Sequence, residues 1–193
     1  MTKTTRLQAP GMRQPWGAIM LLQATFVCGV VMTGQAGQRN GIDKLLNHFP
    51  GDHVLTLSER DSDARDFILK HFPRSNPSVV HADFDGDGHP DYAMLPRDNK
   101  SGTTKFVVLL RSGITQYKSV YELDVTPVSG EVYIRPLPIG SRVSQTEEID
   151  TKDYPSPVQL SSTGIELTYF EKATVVYYWN KKNKKIEAVQ TED

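Results

Sequence analysis

From Ser78 onward the apolar residues of this chain recur with a period of two, whereas residues 42–72 carry the longer period of helices. A period of two sends successive side chains to opposite faces of a strand, so the two stretches cannot share one kind of element. Ile42, Leu45, Leu46 and Phe49 stand at helical spacing, and Pro50-Gly51 stops that helix. Val54 to Leu57 reads as a short strand. Ser58-Glu59-Arg60-Asp61 has the spacing of an N-terminal cap, and Ala64, Phe67, Ile68, His71 and Phe72 follow on one helical stripe that Pro73 ends. Beyond Ser78, Val79-Val80 and Tyr92 to Leu95 read as strands on either side of an acidic loop. Lys105 to Arg111 and Thr115 to Leu123 form a hairpin through Ser112-Gly113, and Val132 to Ile134 a further strand. Residues 136–157, rich in Pro, Ser, Asp and Glu, read as a long excursion. Gly164 to Phe170, Thr174 to Trp179 and Lys185 to Val189 close the chain as an antiparallel meander. The expected fold is α+β: two N-terminal helices packed on one face of a mainly antiparallel β-sheet, with one strand–loop–strand corner.

That corner carries the chemistry. Asp83, Asp85, Asp87 and Asp91 fall at relative positions 1, 3, 5 and 9, with Gly86 and Gly88 between them. Calcium takes about six to eight oxygen ligands, and its best-known loop supplies them at similar positions. The four aspartates would offer side-chain oxygens and His89 its backbone carbonyl, while Gly88 suits the sharp turn. A solvated surface turn is the alternative, but four carboxylates within nine residues repel one another unless a cation compensates them. Calcium is favoured over magnesium, which prefers fewer protein oxygens. The twelfth position is Met94 rather than glutamate, and the flanks are strands, so rigid structural calcium is expected rather than a helix-opening sensor.

The stretch Asp83-Phe84-Asp85-Gly86-Asp87-Gly88-His89-Pro90-Asp91 resembles the calcium loop of FG-GAP and VCBS-type repeats, found in integrin α-subunit propellers and many exported bacterial proteins. In that family the loop joins two strands and its aspartates bind calcium. The resemblance implies Asp83, Asp85, Asp87, Asp91 and the His89 carbonyl as ligands, and it covers about 20 residues around Val79 to Leu95. Only one copy of the loop occurs, whereas a propeller needs several blades of about 40 residues or more, so a full propeller is not expected.

Residues 1–36 read as a signal peptide: Arg6 and Arg13 are basic, Trp16 to Met32 is uncharged and mostly apolar, and Gly34-Gln35-Ala36 offers a cleavage site. An uncleaved membrane anchor is the alternative, including a lipoprotein tether through Cys28, although Val27 is bulky where such patterns want a small residue. Cleavage would leave one domain, residues 37–193, without cysteine, periplasmic or secreted and free of the membrane. Losing Lys3, Arg6 and Arg13 and no acid would take the net charge from −1 to −4, which argues against nucleic acid as a partner.

His48, His53, His71, His81 and His89 show no zinc spacing; His81 could support a ligand carboxylate, and His71 reads as a helix-end residue. No nucleophile elbow or phosphate-cradling loop occurs. Glu147, Glu148, Asp150 and Asp153 read as a solvated loop rather than an acid–base pair. Tyr177, Tyr178 and Trp179 read as core with one aromatic free for a glycan or protein, and Lys181 to Lys185 as a charged hairpin tip. The function expected is an exported calcium-binding protein, non-enzymatic, in which Ca2+ braces a β-loop for an unidentified protein or glycan partner. The alternatives are a calcium-dependent hydrolase of the cell envelope and a small periplasmic inhibitor or immunity protein.

Overall fold

The run Phe106-Val107-Val108-Leu109-Leu110 contains no polar residue, so a strand built from it demands apolar cover on both faces. The computed structural model, which describes residues 42–145 and 157–192, shows how that cover is supplied. In chain order, residues 42–46 form a short helix (α1), Asp52–Val54 a strand (β1), Leu57–Glu59 a 3-10 turn and Ser62–His71 a second helix (α2). Strands β2 (Val79–Ala82), β3 (Asp91–Met94), β4 (Pro96–Asp98), β5 (Lys105–Arg111) and β6 (Tyr117–Asp124) follow. After a 3-10 turn at Thr126–Val128 come β7 (Val132–Leu137), β8 (Arg142–Val143), β9 (Val158–Gln159), β10 (Gly164–Tyr169), β11 (Ala173–Asn180) and β12 (Lys185–Glu192).

Two four-stranded antiparallel sheets, ordered β2-β3-β5-β6 and β12-β11-β10-β7, face one another. Phe106, Val108 and Leu110 of β5 point inward with Val80, Phe84 and Ala93, against Val132, Ile134, Ile165, Leu167, Tyr177 and Ile186 of the opposite sheet. The rings of Phe106 and Tyr177 meet at 4.8 Å between centroids. Val107 and Leu109 point the other way, joining Val79, Tyr92 and Met94 under Leu45 of α1. The far side of the second sheet is covered in two places. Val176 and Val189 lie under Val143 and Leu160 of the β8–β9 region. Phe67 of α2 rests on Tyr133 and Phe170, at 6.2 and 5.2 Å between centroids.

The α+β expectation is therefore corrected. The fold is mostly β, with only two short helices among the described residues, and those helices lie on different sheets rather than side by side on one. The physical reason is the double-sided apolar strand: once β5 is buried on both faces, one sheet with helices on a single face leaves half its apolar surface in water. A second sheet closes the inner face, and α1 needs to contribute little more than Leu45 to the outer one. Buried Arg60 joins the layers at one edge, donating to the carbonyls of Val132, Thr56 and Pro77 and to Ser78 Oγ. Ile134 N–H donates to the Pro77 carbonyl at the same edge. Ser58 does not cap a helix: Thr56 and Glu59 form a capping box around the 3-10 turn, and Asp61 stands at the N-cap of α2. The proposed signal peptide and the Glu147–Asp153 cluster lie outside the described residues. Among the described residues no helix is long and apolar enough to cross a membrane.

Candidate metal centre

The acidic loop is held at both ends by sheet. Ala82, at the end of β2, pairs with Asp91, at the start of β3, so residues 83–90 close as a tight excursion between them. Phe84, 1% exposed, plugs the loop into the core between the sheets. Gly86 and Gly88 take φ of +80° and +85°, a region that costs other residues strain, so the turn needs glycine at both positions.

The carboxylates fold back onto the loop's own amides. Asp83 accepts from Gly86 N–H at 2.6 Å and, with its other oxygen, from Gly88 N–H at 2.9 Å. Asp85 accepts from Asp87 N–H at 3.0 Å, and Asp87 from His89 N–H at 2.7 Å. Asp91, 1% exposed, accepts from Phe84 N–H and from Arg111 N–H, both at 2.8 Å. This wrapping brings oxygens of Asp83, Asp85 and Asp91 within 4.8 Å of one another. Ligands about 2.3–2.6 Å from one calcium ion are at most about 5.2 Å apart, so the three oxygens fit around a single ion. Asp87 lies outside that group of three, exposed at the rim with His89.

The electrostatics of the loop are unbalanced. Among the described residues none of the four aspartates forms an ion pair with a lysine, arginine or histidine. Burial pushes the Asp91 carboxyl up to about 6, against the lowering effect of the Arg111 and Phe84 amides, and the charges of Asp85 and Asp87 push it the same way as burial. Asp85 is also raised, first by burial and then, despite the Asp87 amide, by the charges of Asp87 and Asp83. A buried carboxylate held by amides alone is costly to ionise, and a divalent cation removes that cost.

The loop also touches the opposite sheet. Ser162 Oγ–H donates to the Phe84 carbonyl at 2.5 Å, and Thr163 N–H to the Asp83 carbonyl at 3.3 Å. Lys181, in the turn between β11 and β12, lies over Gly86. None of these partners was legible as such: Ser162, Thr163 and Lys181 lie about 80–100 residues from the loop, and no local pattern marks them. A shallow hollow of 380 Å³ beside the loop is lined by Asp87, His89, Arg111 and the Ser112–Ile114 turn, with Ile114 88% exposed. The Arg111 guanidinium is committed there to the carbonyls of Gly113 and Ile114.

Other sequence candidates resolve into packing. His81 stacks on Tyr92 at 4.4 Å and donates to no loop carboxylate among the described residues; burial pushes its ring pKa down. The His71 ring packs tilted against Phe67 at 4.4 Å between centroids. Tyr177 and Trp179 join the inner core, while Tyr178 turns to the other face and donates its hydroxyl to Glu187. A polar cluster that sequence reasoning missed links His53, Glu59, Arg97 and Asn99: the His53 ring nitrogens meet Asn99 Oδ1 at 2.7 Å and Glu59 at 2.9 Å.

No protein-family model matches the chain, and neither a curated protein nor a solved structure matches it.

Proposed function

We propose that this chain is an exported calcium-binding protein in which one ion braces the loop between β2 and β3, serving as a non-enzymatic binding module of the periplasm or the cell exterior. The observation that carries the proposal is the convergence of Asp83, Asp85 and Asp91 around buried, unpaired negative charge. Asp87 and the His89 carbonyl would complete the ligand set suggested by the loop's spacing. The ion would neutralise the aspartates and stiffen a loop that already holds Ser162 and Thr163 of the turn leading into β10. Its role would then be architectural: it fixes the corner and the rim beside Ile114 on which a protein or glycan partner could rest. Export is inferred from residues 1–36 alone.

Thermal melting tests the proposal. Calcium in excess over chelator should raise the melting temperature, and Asp85→Ala should abolish the rise while leaving the chelator-treated protein folded. A melting curve indifferent to calcium and chelator would refute it.

A further inference from the structure

The turn between β11 and β12 reaches the acidic loop from the opposite sheet. A Cβ placed on Gly86 would stand 2.9 Å from Lys181 Nζ and 3.2 Å from its Cε, so the end of the lysine lies on the loop's glycine. The Gly86 amide in turn donates to Asp83 at 2.6 Å. Through the fixed geometry of the glycine, these distances keep the ammonium within about 8 Å of that Asp83 oxygen. Yet Lys181 forms no ion pair with any loop aspartate. It is a nearby charge rather than an occupant of the site. The Debye length at physiological ionic strength is about 8 Å, so solvent ions screen this interaction only in part. Lys185, the first residue of β12, is instead drawn to Glu187 at 3.5 Å.

We propose that Lys181 sets the calcium affinity of the loop, a role that rests on the calcium reading above. In the ion-free protein its ammonium offsets part of the repulsion among Asp83, Asp85, Asp87 and Asp91. Against an arriving dication the same ammonium is repulsive. Removing the charge therefore has two effects of opposite sign: the ion-free loop loses stability, and calcium binds more tightly. A side chain that only packed on Gly86 would not produce that pair of effects, since its loss would loosen the loop and weaken the ion together.

The experiment is calcium titration calorimetry on the full chain, comparing wild type with Lys181→Gln, Lys181→Arg and Lys182→Gln. At about 20 mM salt Lys181→Gln should bind calcium about threefold to tenfold more tightly. Lys181→Arg, which keeps the charge, and Lys182→Gln should stay within about twofold of wild type. The gain should shrink to less than about twofold in about 0.5 M salt. With chelator, Lys181→Gln should melt about 1–2 °C below wild type. Wild type binding calcium with Lys181→Gln unchanged or weaker would overturn the role of Lys181 alone. No binding by any of the four proteins would overturn the calcium reading and this role with it.

Discussion

Glu59 and Asp91 are both carboxylates drawn away from water beside short β elements, yet their surroundings follow opposite plans. Glu59 accepts from Thr56 N–H at 2.8 Å and Thr56 Oγ1–H at 2.7 Å, and it faces His53 at 2.9 Å and the Arg97 guanidinium at 3.3 Å. Burial raises its pKa, but the Thr56 and His53 contacts outweigh that, and it sits below the usual glutamate value. Asp91 has amides only, and burial lifts it to about 6. The chain can surround a carboxylate with its own basic groups, whereas among the described residues no lysine, arginine or histidine forms an ion pair with an aspartate of the acidic loop. That contrast is the physical support for the proposed cation at the loop.

The comparison can be broken in several places. The largest effect should come from Asp91→Ala, which strips the Phe84 and Arg111 amides of their acceptor in a buried setting and should cost about 3 kcal/mol by denaturant unfolding with chelator, and more with calcium, whose increment it also removes. Calcium at about a hundredfold over its dissociation constant should add about 2.7 kcal/mol to wild type and nothing to Asp85→Ala. Glu59→Gln should cost about 1 kcal/mol and leave the calcium increment unchanged, since its partners are internal. Ser162→Ala, which removes one link between the loop and the second sheet, should cost a little less, about 0.5–1 kcal/mol. Equal calcium increments in the Asp85 variant and wild type would erase the distinction between the two clusters.

Acid sharpens the same contrast, because the two carboxylates carry opposite signs. The folded-state pKa of Asp91 lies above its ordinary value of 3.8, so the ion-free fold takes up a proton that the unfolded chain does not. Its contribution with chelator should therefore become more favourable as pH falls from about 7 through about 6 toward 4. Asp83 and Asp85 converge on it, and the charges of Asp85 and Asp87 shape the curve. Glu59 lies below its ordinary value, so its contribution is present above the normal glutamate range and lost as pH falls below it. With calcium bound, protons compete with the ion, and the calcium increment should shrink below pH 6. Melting curves across pH 4–8 with calcium or chelator, on wild type and Glu59→Gln, separate the three effects. A calcium increment that holds constant down to pH 4 would contradict the assignment of Asp91 as a ligand.

How much of this was legible in the chain depended on range. The loop declared itself because its aspartates and glycines are neighbours in sequence, and the meander β10–β12 because alternation is local. The layering was not, although the unbroken Phe106–Leu110 run already signalled a strand covered on both sides. Reading it with the helical stripe at Ala64–Phe72 suggested helices over one sheet, when the partner of that strand's inner face is a second sheet formed after residue 132. Three predicted ligands, Asp83, Asp85 and Asp91, come together, while Asp87 stays at the rim, its oxygen held by the His89 amide. The contacts of Ser162, Thr163 and Lys181 with the loop exist only because the sandwich closes, so no window of sequence contains them.

Equilibrium dialysis of chelator-stripped protein against radioactive calcium at pH 7.5 addresses the proposed metal centre most directly. One ion retained per wild-type chain, and none by Asp85→Ala or by Asp83→Ala, is the expected result. Calcium distributing equally on both sides of the membrane for wild type would contradict it, and the acidic loop would then be a self-contained turn held by its own amides.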